Sequence, residues 1–200
     1  MFDVATITGL HRTTVRRWHQ QEIDVPYEGF LGLVCRQHEQ NFRLWHEEDI
    51  ARSPDVGDAR IAEVKRAIDG YNQRRNDLIE QVDDALIAIL AESGSRPAAD
   101  ARQHTETPGS AIDRLSIMSL RMYHMQEQID RQDVDESHRE KARAKLRLCQ
   151  EQYADLSRSL ELLWADLLAG RARLKVYRRL KMYNDPSLNP YLYAAKKSAA

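Results

Sequence analysis

Two hundred residues, 30 of them Lys or Arg and 31 Asp or Glu, carry a formal net charge of −1 and suffice to bury one core without disulfide or metal staples. Only 8 Gly, 6 Pro and 7% aromatic residues argue against a sheet protein, whose strands need β-branched and aromatic side chains and whose tight turns need Gly. No apolar run reaches membrane-spanning length, and no basic stretch followed by an apolar one opens the chain, so a cytoplasmic protein is expected.

In chain order, the first helix is expected over about 3–21, with Val4, Ile7, Leu10, Thr14 and Trp18 on one stripe. Asp24-Val-Pro26 breaks it. A second helix, about 27–52, turns Leu31, Val34, His38, Phe42 and Trp45 inward and stops at Ser53-Pro54, because Pro disfavours the α conformation in the residue before it. The third, about 57–92, repeats Ile61, Val64, Ile68, Tyr71, Arg75, Leu78, Val82, Ala85 and Ile89 at steps of three and four, a coiled-coil-like seam. Residues 93–107 are a Ser/Gly/Pro/Ala-rich linker. Thr107-Pro108, an N-cap followed by Pro at the first helical position, opens a fourth helix striped by Leu115, Met118, Met122, Met125 and Ile129. The fifth, about 135–169, carries Leu146, Cys149, Tyr153, Leu156, Leu160, Leu163 and Leu167, with Gly170 as its C-terminal cap. A short basic helix to Tyr183 and a turn-rich basic tail over 184–200 complete the chain. Short connections join antiparallel neighbours, so the fold expected is an all-α up-down bundle in one domain, 1–183, ending in that short basic helix. Cys35 and Cys149 sit in apolar stripes without metal-ligand spacing and read as small buried hydrophobes.

The strings Asn41-Phe-Arg-Leu-Trp-His-Glu-Glu-Asp49, Thr105-Glu-Thr-Pro-Gly109 leading into Ile112-Asp-Arg-Leu-Ser-Ile117, Tyr123-His-Met125 and Lys181-Met-Tyr-Asn-Asp-Pro186 resemble a bacterial family, domain of unknown function 4254. The resemblance spans most of the chain. It implies a helical cytosolic protein and carries no catalytic residue over.

Charge is segregated. From 170 onward eight Lys/Arg face the single acid Asp185, which leaves 22 basic and 30 acidic residues elsewhere, so the end is +7 and the body −8. Arg171, Arg173, Lys175, Arg178, Arg179 and Lys181 are therefore the candidate anion-binding set. Their partner would be an anionic protein or a phosphorylated small molecule, unless the tail docks on its own acidic body. Homo-oligomers remain open. Around Gly9, with Arg12, Arg16 and Arg17 following, the chain has the look of a DNA-binding helix-turn-helix. The same residues also make one continuous amphipathic stripe, so a nucleic-acid partner is not expected.

The enzyme alternative is metal-assisted hydrolysis or transfer on a phosphorylated nucleotide or sugar. Glu47-Glu48 and Glu80-x-x-Asp83 hint at an all-α pyrophosphohydrolase, but the two pairs lie at different heights of a hairpin, roughly 30 Å apart at 1.5 Å per residue. Level-counting favours another set. His46 lies six residues before the end of the second helix and His124 six before the end of the fourth, taken as Asp130. In an up-down bundle those helices run parallel, so His46, Asp49 and His124 are expected at one end as a divalent-metal or acid–base site, with Glu48, Tyr123 and His138 within reach. Arg75, inside a seam, needs a partner; Asn72, Asn76 and Asp77 are the local candidates. His11, His19, His38 and His104 show no motif spacing and read as structural.

Overall fold

The computed structural model describes residues 2–178, 182, 185–192 and 194. Five helices, α1 (Val4–Trp18), α2 (Gly29–Ala51), α3 (Asp58–Glu92), α4 (Pro108–Asp130) and α5 (Glu136–Leu168), carry the fold. Helical residues make up 72% of the chain. Three of the five helices, α1, α4 and α5, begin at a side-chain cap. Asp3 accepts from Thr6 N, Thr107 from Ser110 N and Asp135 from His138 N, each satisfying an N–H that the first helical turn leaves free.

α2 and α3 form one antiparallel hairpin and α4 and α5 another. The core between them contains Val34, Phe42, Val82, Leu86, Ile112, Leu115, Leu160 and Leu167, each worth about 1.5–3 kcal/mol of apolar burial. α1 lies across both hairpins, its stripe of Val4, Ile7, Leu10, Thr14 and Trp18 buried throughout. Its direction departs from the neighbour rule. Phe2 meets Phe30 (6.1 Å), His11 meets His38 (4.7 Å) and His19 meets His46 (5.2 Å), so α1 runs parallel to α2. The ten-residue connection over 19–28 permits this, since it can span about 33 Å while α1 is only about 22 Å long. Ile23, Val25 and Tyr27 of that connection pack on the core.

The linker ending at Thr107 does not carry α4 away from α3. Ser95 Oγ donates to Leu167 O (2.7 Å) and Ala98 N to Gly170 O (2.9 Å). Arg102–Gln103 (β1) then pairs in parallel with Ala172–Arg173 (β2). The linker is thus tied to the C-terminal end of α5, where Gly170 has φ +71 and a Cβ would stand 2.4 Å from Arg96 O. This claim on the backbone beyond Gly170 also shortens the expected basic helix at its start: residues 171–178 hold β2 and no helical turn, Met182 is helical, residues 179–181 and 183 lie outside the described residues, and helical residues recur at 190–192 and 194. The helix-turn-helix reading is corrected as well. Val4–Trp18 is one unbroken helix through Gly9, with its apolar face inside the core, so no separate recognition helix exists there.

α4 is anchored from α3. Buried Asp83 accepts from Gly109 N (2.7 Å), and burial raises its pKa. A Cβ on Gly109 would lie 2.7 Å from Asp83 Oδ1. Gly109→Ala is therefore expected to cost about 1–3 kcal/mol in urea unfolding, the range for forcing a methyl into a packed site. A change within about 0.5 kcal/mol would show that Asp83 yields freely. No helix among the described residues is long and apolar enough to cross a membrane.

Candidate metal centre and adjoining cavity

Parallel α1, α2 and α4 bring three imidazoles together near their C-terminal ends: His19, His46 and His124. The ring centroids of His46 and His124 are 5.7 Å apart, and those of His19 lie 5.2 and 5.1 Å from them. One ring nitrogen from each lies within 4.8 Å of the others. Around a zinc-sized ion the nitrogens would be about 3.3 Å apart, given bonds of about 2.0–2.1 Å in a tetrahedral arrangement. The rings need to close by roughly 1–1.5 Å, within reach of small side-chain rotations.

Each ring is already oriented through its other nitrogen. His19 Nδ1 donates to Val15 O (2.7 Å), His46 Nδ1 to Phe42 O (2.8 Å) and His124 Nδ1 to the Glu127 carboxylate (2.6 Å). Those oxygens can only accept, so in the neutral ring the proton sits on Nδ1 and the lone pair on Nε2. Nε2 of His19 and Nε2 of His124 are buried and unpartnered. An imidazole whose far N–H is held by a carbonyl or carboxylate is the usual form of a metal-bound histidine. Burial lowers the His19 pKa, with further lowering from His124 and His46, which keeps that ring in the neutral form a metal needs.

Aromatic packing fixes the rings. Tyr123 stacks on His19 at 4.1 Å, Trp45 on His124 at 4.8 Å and 8°, and Phe42 lies 4.4 Å from His46. Tyr123, placed within reach by level-counting, meets His19. Asp49 goes elsewhere: it is exposed and lines a cavity of about 450 Å³ between α2, α3 and α4. Three residues along a helix turn the side chain by about 60°, enough to leave the Phe42–His46 stripe that faces α1. Glu48 lines the same cavity and pairs with Arg52 (2.9 Å). His138 stands on α5, outside the imidazole trio.

A buried polar network floors that cavity. Arg75 donates from Nε to Asp113 Oδ1 (2.8 Å) and from Nη2 to Oδ2 (2.5 Å), a two-pronged pair. Gln37 and Asn41 also donate to Asp113 (2.5 and 2.9 Å). Ser116 Oγ then links Asn41 (2.8 Å) to His38 Nδ1 (2.6 Å). Arg75 thus has the structural partner its seam position demanded. Of the local candidates, Asn72 also touches it, weakly at 3.5 Å. Below the trio, fully buried His11 packs on His38, both ring nitrogens of His11 lacking partners.

The two pyrophosphohydrolase-like acids of α3 are occupied otherwise: Asp83 caps α4, and Glu80 faces Arg178 (3.3 Å). Arg178 also pairs with Asp84 (2.6 Å), and Arg171 with Asp166 (2.7 Å), so these two basic residues dock on the acidic body. Lys175 lies 4.8 Å over the Tyr177 ring, and Arg173 belongs to β2. Arg179 and Lys181 lie outside the described residues. Cys35 and Cys149 are buried free thiols, and burial pushes the Cys35 pKa up to about 12.

Sequence reasoning missed His19, Glu127 and Asp113. The signal for His19 was present: His11/His19 and His38/His46 share a spacing of eight residues, two turns on each helix, which pairs them level by level once α1 is parallel to α2.

No curated protein and no solved structure matches the chain. The segment matched by a family model runs from 31 to 176; it holds His46, His124, Arg75 and Asp113, while α1 with His19 precedes it. On that match the chain belongs to the family described as "Protein of unknown function (DUF4254)".

Proposed function

We propose that the protein binds one divalent transition-metal ion through His19, His46 and His124 and uses it for hydrolysis or group transfer on a bound substrate. The carrying observation is the common orientation of the three rings, each with Nδ1 held by an acceptor and Nε2 left for a ligand. An all-nitrogen donor set suits zinc, cobalt, nickel or copper and not magnesium or calcium, which require oxygen. Three protein ligands leave a fourth position for water or a substrate oxygen, the arrangement of catalytic rather than structural zinc. The second reading, an anionic partner on the C-terminal basic segment, is weakened because Arg171 and Arg178 are already ion-paired with the body.

Titration of metal-free protein with Co²⁺ or Zn²⁺ tests the proposal. One ion per chain is expected, with the visible absorption of tetrahedral Co²⁺. His19→Ala and His124→Ala abolish binding, and Asp49→Ala leaves it intact. Glu127→Gln, which weakens the hold on His124 Nδ1, lowers affinity about 10–100-fold. Stoichiometric binding that survives His19→Ala would move the site away from the trio.

A further inference from the structure

The cavity beside the histidines is chemically ordered along its length. α2 supplies one stripe of it, from buried Asn41, which marks the sealed end, through Leu44 and Trp45 to half-buried Glu48 and exposed Asp49, which mark the mouth. From Asn41 to Asp49 that stripe rises about 12 Å. Arg75 of α3 closes the sealed end, three-quarters shielded, against an Asp113 only 6% exposed. Guanidinium has five N–H donors. Two are used on Asp113 and one leans on Asn72, so Nη1 and Nη2 each keep one. The floor is rigid because Gln37 and Asn41 hold Asp113 as well.

Charge then selects the ligand. Asp113 already neutralises Arg75, so an anion at the sealed end is held mainly by hydrogen bonds, and the single charge of a carboxylate is less costly to bury there than the two of a dianionic phosphate. A planar carboxylate matches the remaining donors. At the mouth Arg52 is spent on Glu48, which leaves Asp49 as the uncompensated charge among the described residues there. Between the two ends the walls are Leu44, Trp45, Ile117 and Leu120. We infer that this cavity binds an ω-amino carboxylate: carboxylate on Arg75 and Asn72, methylene chain along Trp45 and the aliphatic walls, ammonium at Asp49. A volume of about 450 Å³ lies within the usual range for small-molecule sites. The inference does not rest on the metal reading, since none of these groups is a proposed metal ligand.

The experiment is calorimetric titration of chelator-treated, metal-free protein with 8-aminooctanoate, octanoate and octylamine. Saturable binding of 8-aminooctanoate is expected, with octanoate and octylamine each at least tenfold weaker because each forfeits one end. Asp49→Asn, an exposed change that leaves the fold alone, weakens 8-aminooctanoate at least fivefold and leaves octanoate unchanged. Asn72→Leu, at the opposite end, weakens 8-aminooctanoate and octanoate alike. Equal affinity for all three probes, no binding of 8-aminooctanoate at millimolar concentration, or indifference to Asp49→Asn overturns the assignment. Because no metal is present, each of these outcomes is independent of whether the histidine trio binds an ion.

Discussion

Asp113→Ala is expected to destabilise the protein by about 3–5 kcal/mol, the loss that follows removal of one partner from a buried ion pair. Asp113 is 6% exposed and receives donors from three residues on two helices: Gln37 and Asn41 of α2, and Arg75 of α3. Without it the Arg75 guanidinium, itself only 25% exposed, keeps its charge but loses both strong bonds, and Gln37 loses its acceptor. A quarter of residual exposure allows some rehydration, which places the effect toward the lower end of the range. The pair itself need not be stabilising relative to an apolar core. Asp113→Leu combined with Arg75→Met should therefore recover much of the loss, because neither charge remains to be left alone. Urea unfolding of the two single variants and the double variant measures this. A loss below about 1 kcal/mol for Asp113→Ala would mean that water, not Asp113, solvates Arg75.

How far this site was readable from the chain depends on the range over which each signal acts. Helix ends followed from local chemistry. Thr107 before Pro108, Ser53 before Pro54 and Gly170 after Ala169 each act within a turn of themselves, and the observed ends agree within a few residues. The convergence of His46 and His124 needed one non-local premise, that α2 and α4 run parallel, and hairpin connectivity supplied it. His19 needed the direction of α1, set by burial of Ile23, Val25 and Tyr27 in the returning connection, which no local pattern announces. Arg75 likewise found its partner 38 residues away instead of among its helical neighbours. Residues 171–178 are not the helix expected there because the carbonyls of Gly170 and Arg171 accept from Ala98 N and Arg102 N of the linker, competition that charge counting cannot see.

Acid should unfold the protein through two histidines that play no part in the metal centre. Burial pushes the pKa of His11 down to about 3, and burial together with the neighbouring His11 pushes that of His38 well below its ordinary value of 6.5. Both rings are 0% exposed; the groups facing them include each other, Trp18, Ser116 on the Nδ1 of His38, and the His11 backbone, which raises the His38 pKa by less than burial lowers it. No carboxylate bonds either ring among the described residues. The folded state therefore holds both neutral, while the unfolded chain takes up a proton on each below about pH 6.5. A depressed folded pKa leaves full stability above 6.5 and removes it as the pH falls toward 3. Each ring costs about 1.4 kcal/mol per pH unit, so the pair removes about 4 kcal/mol by pH 5. That is a large share of the usual 5–15 kcal/mol of a domain. Carboxylates titrate mainly below this window, and the metal-free protein removes any contribution of metal release. His11→Leu is the discriminating variant. It keeps the volume close and deletes two ring nitrogens that have no partner, so stability at pH 7.5 should hold or rise, while the slope between pH 6 and 5 should fall by about half. A slope unchanged by His11→Leu in urea titrations at pH 7.5, 6 and 5 would assign the acid sensitivity to other groups and show that water reaches His11.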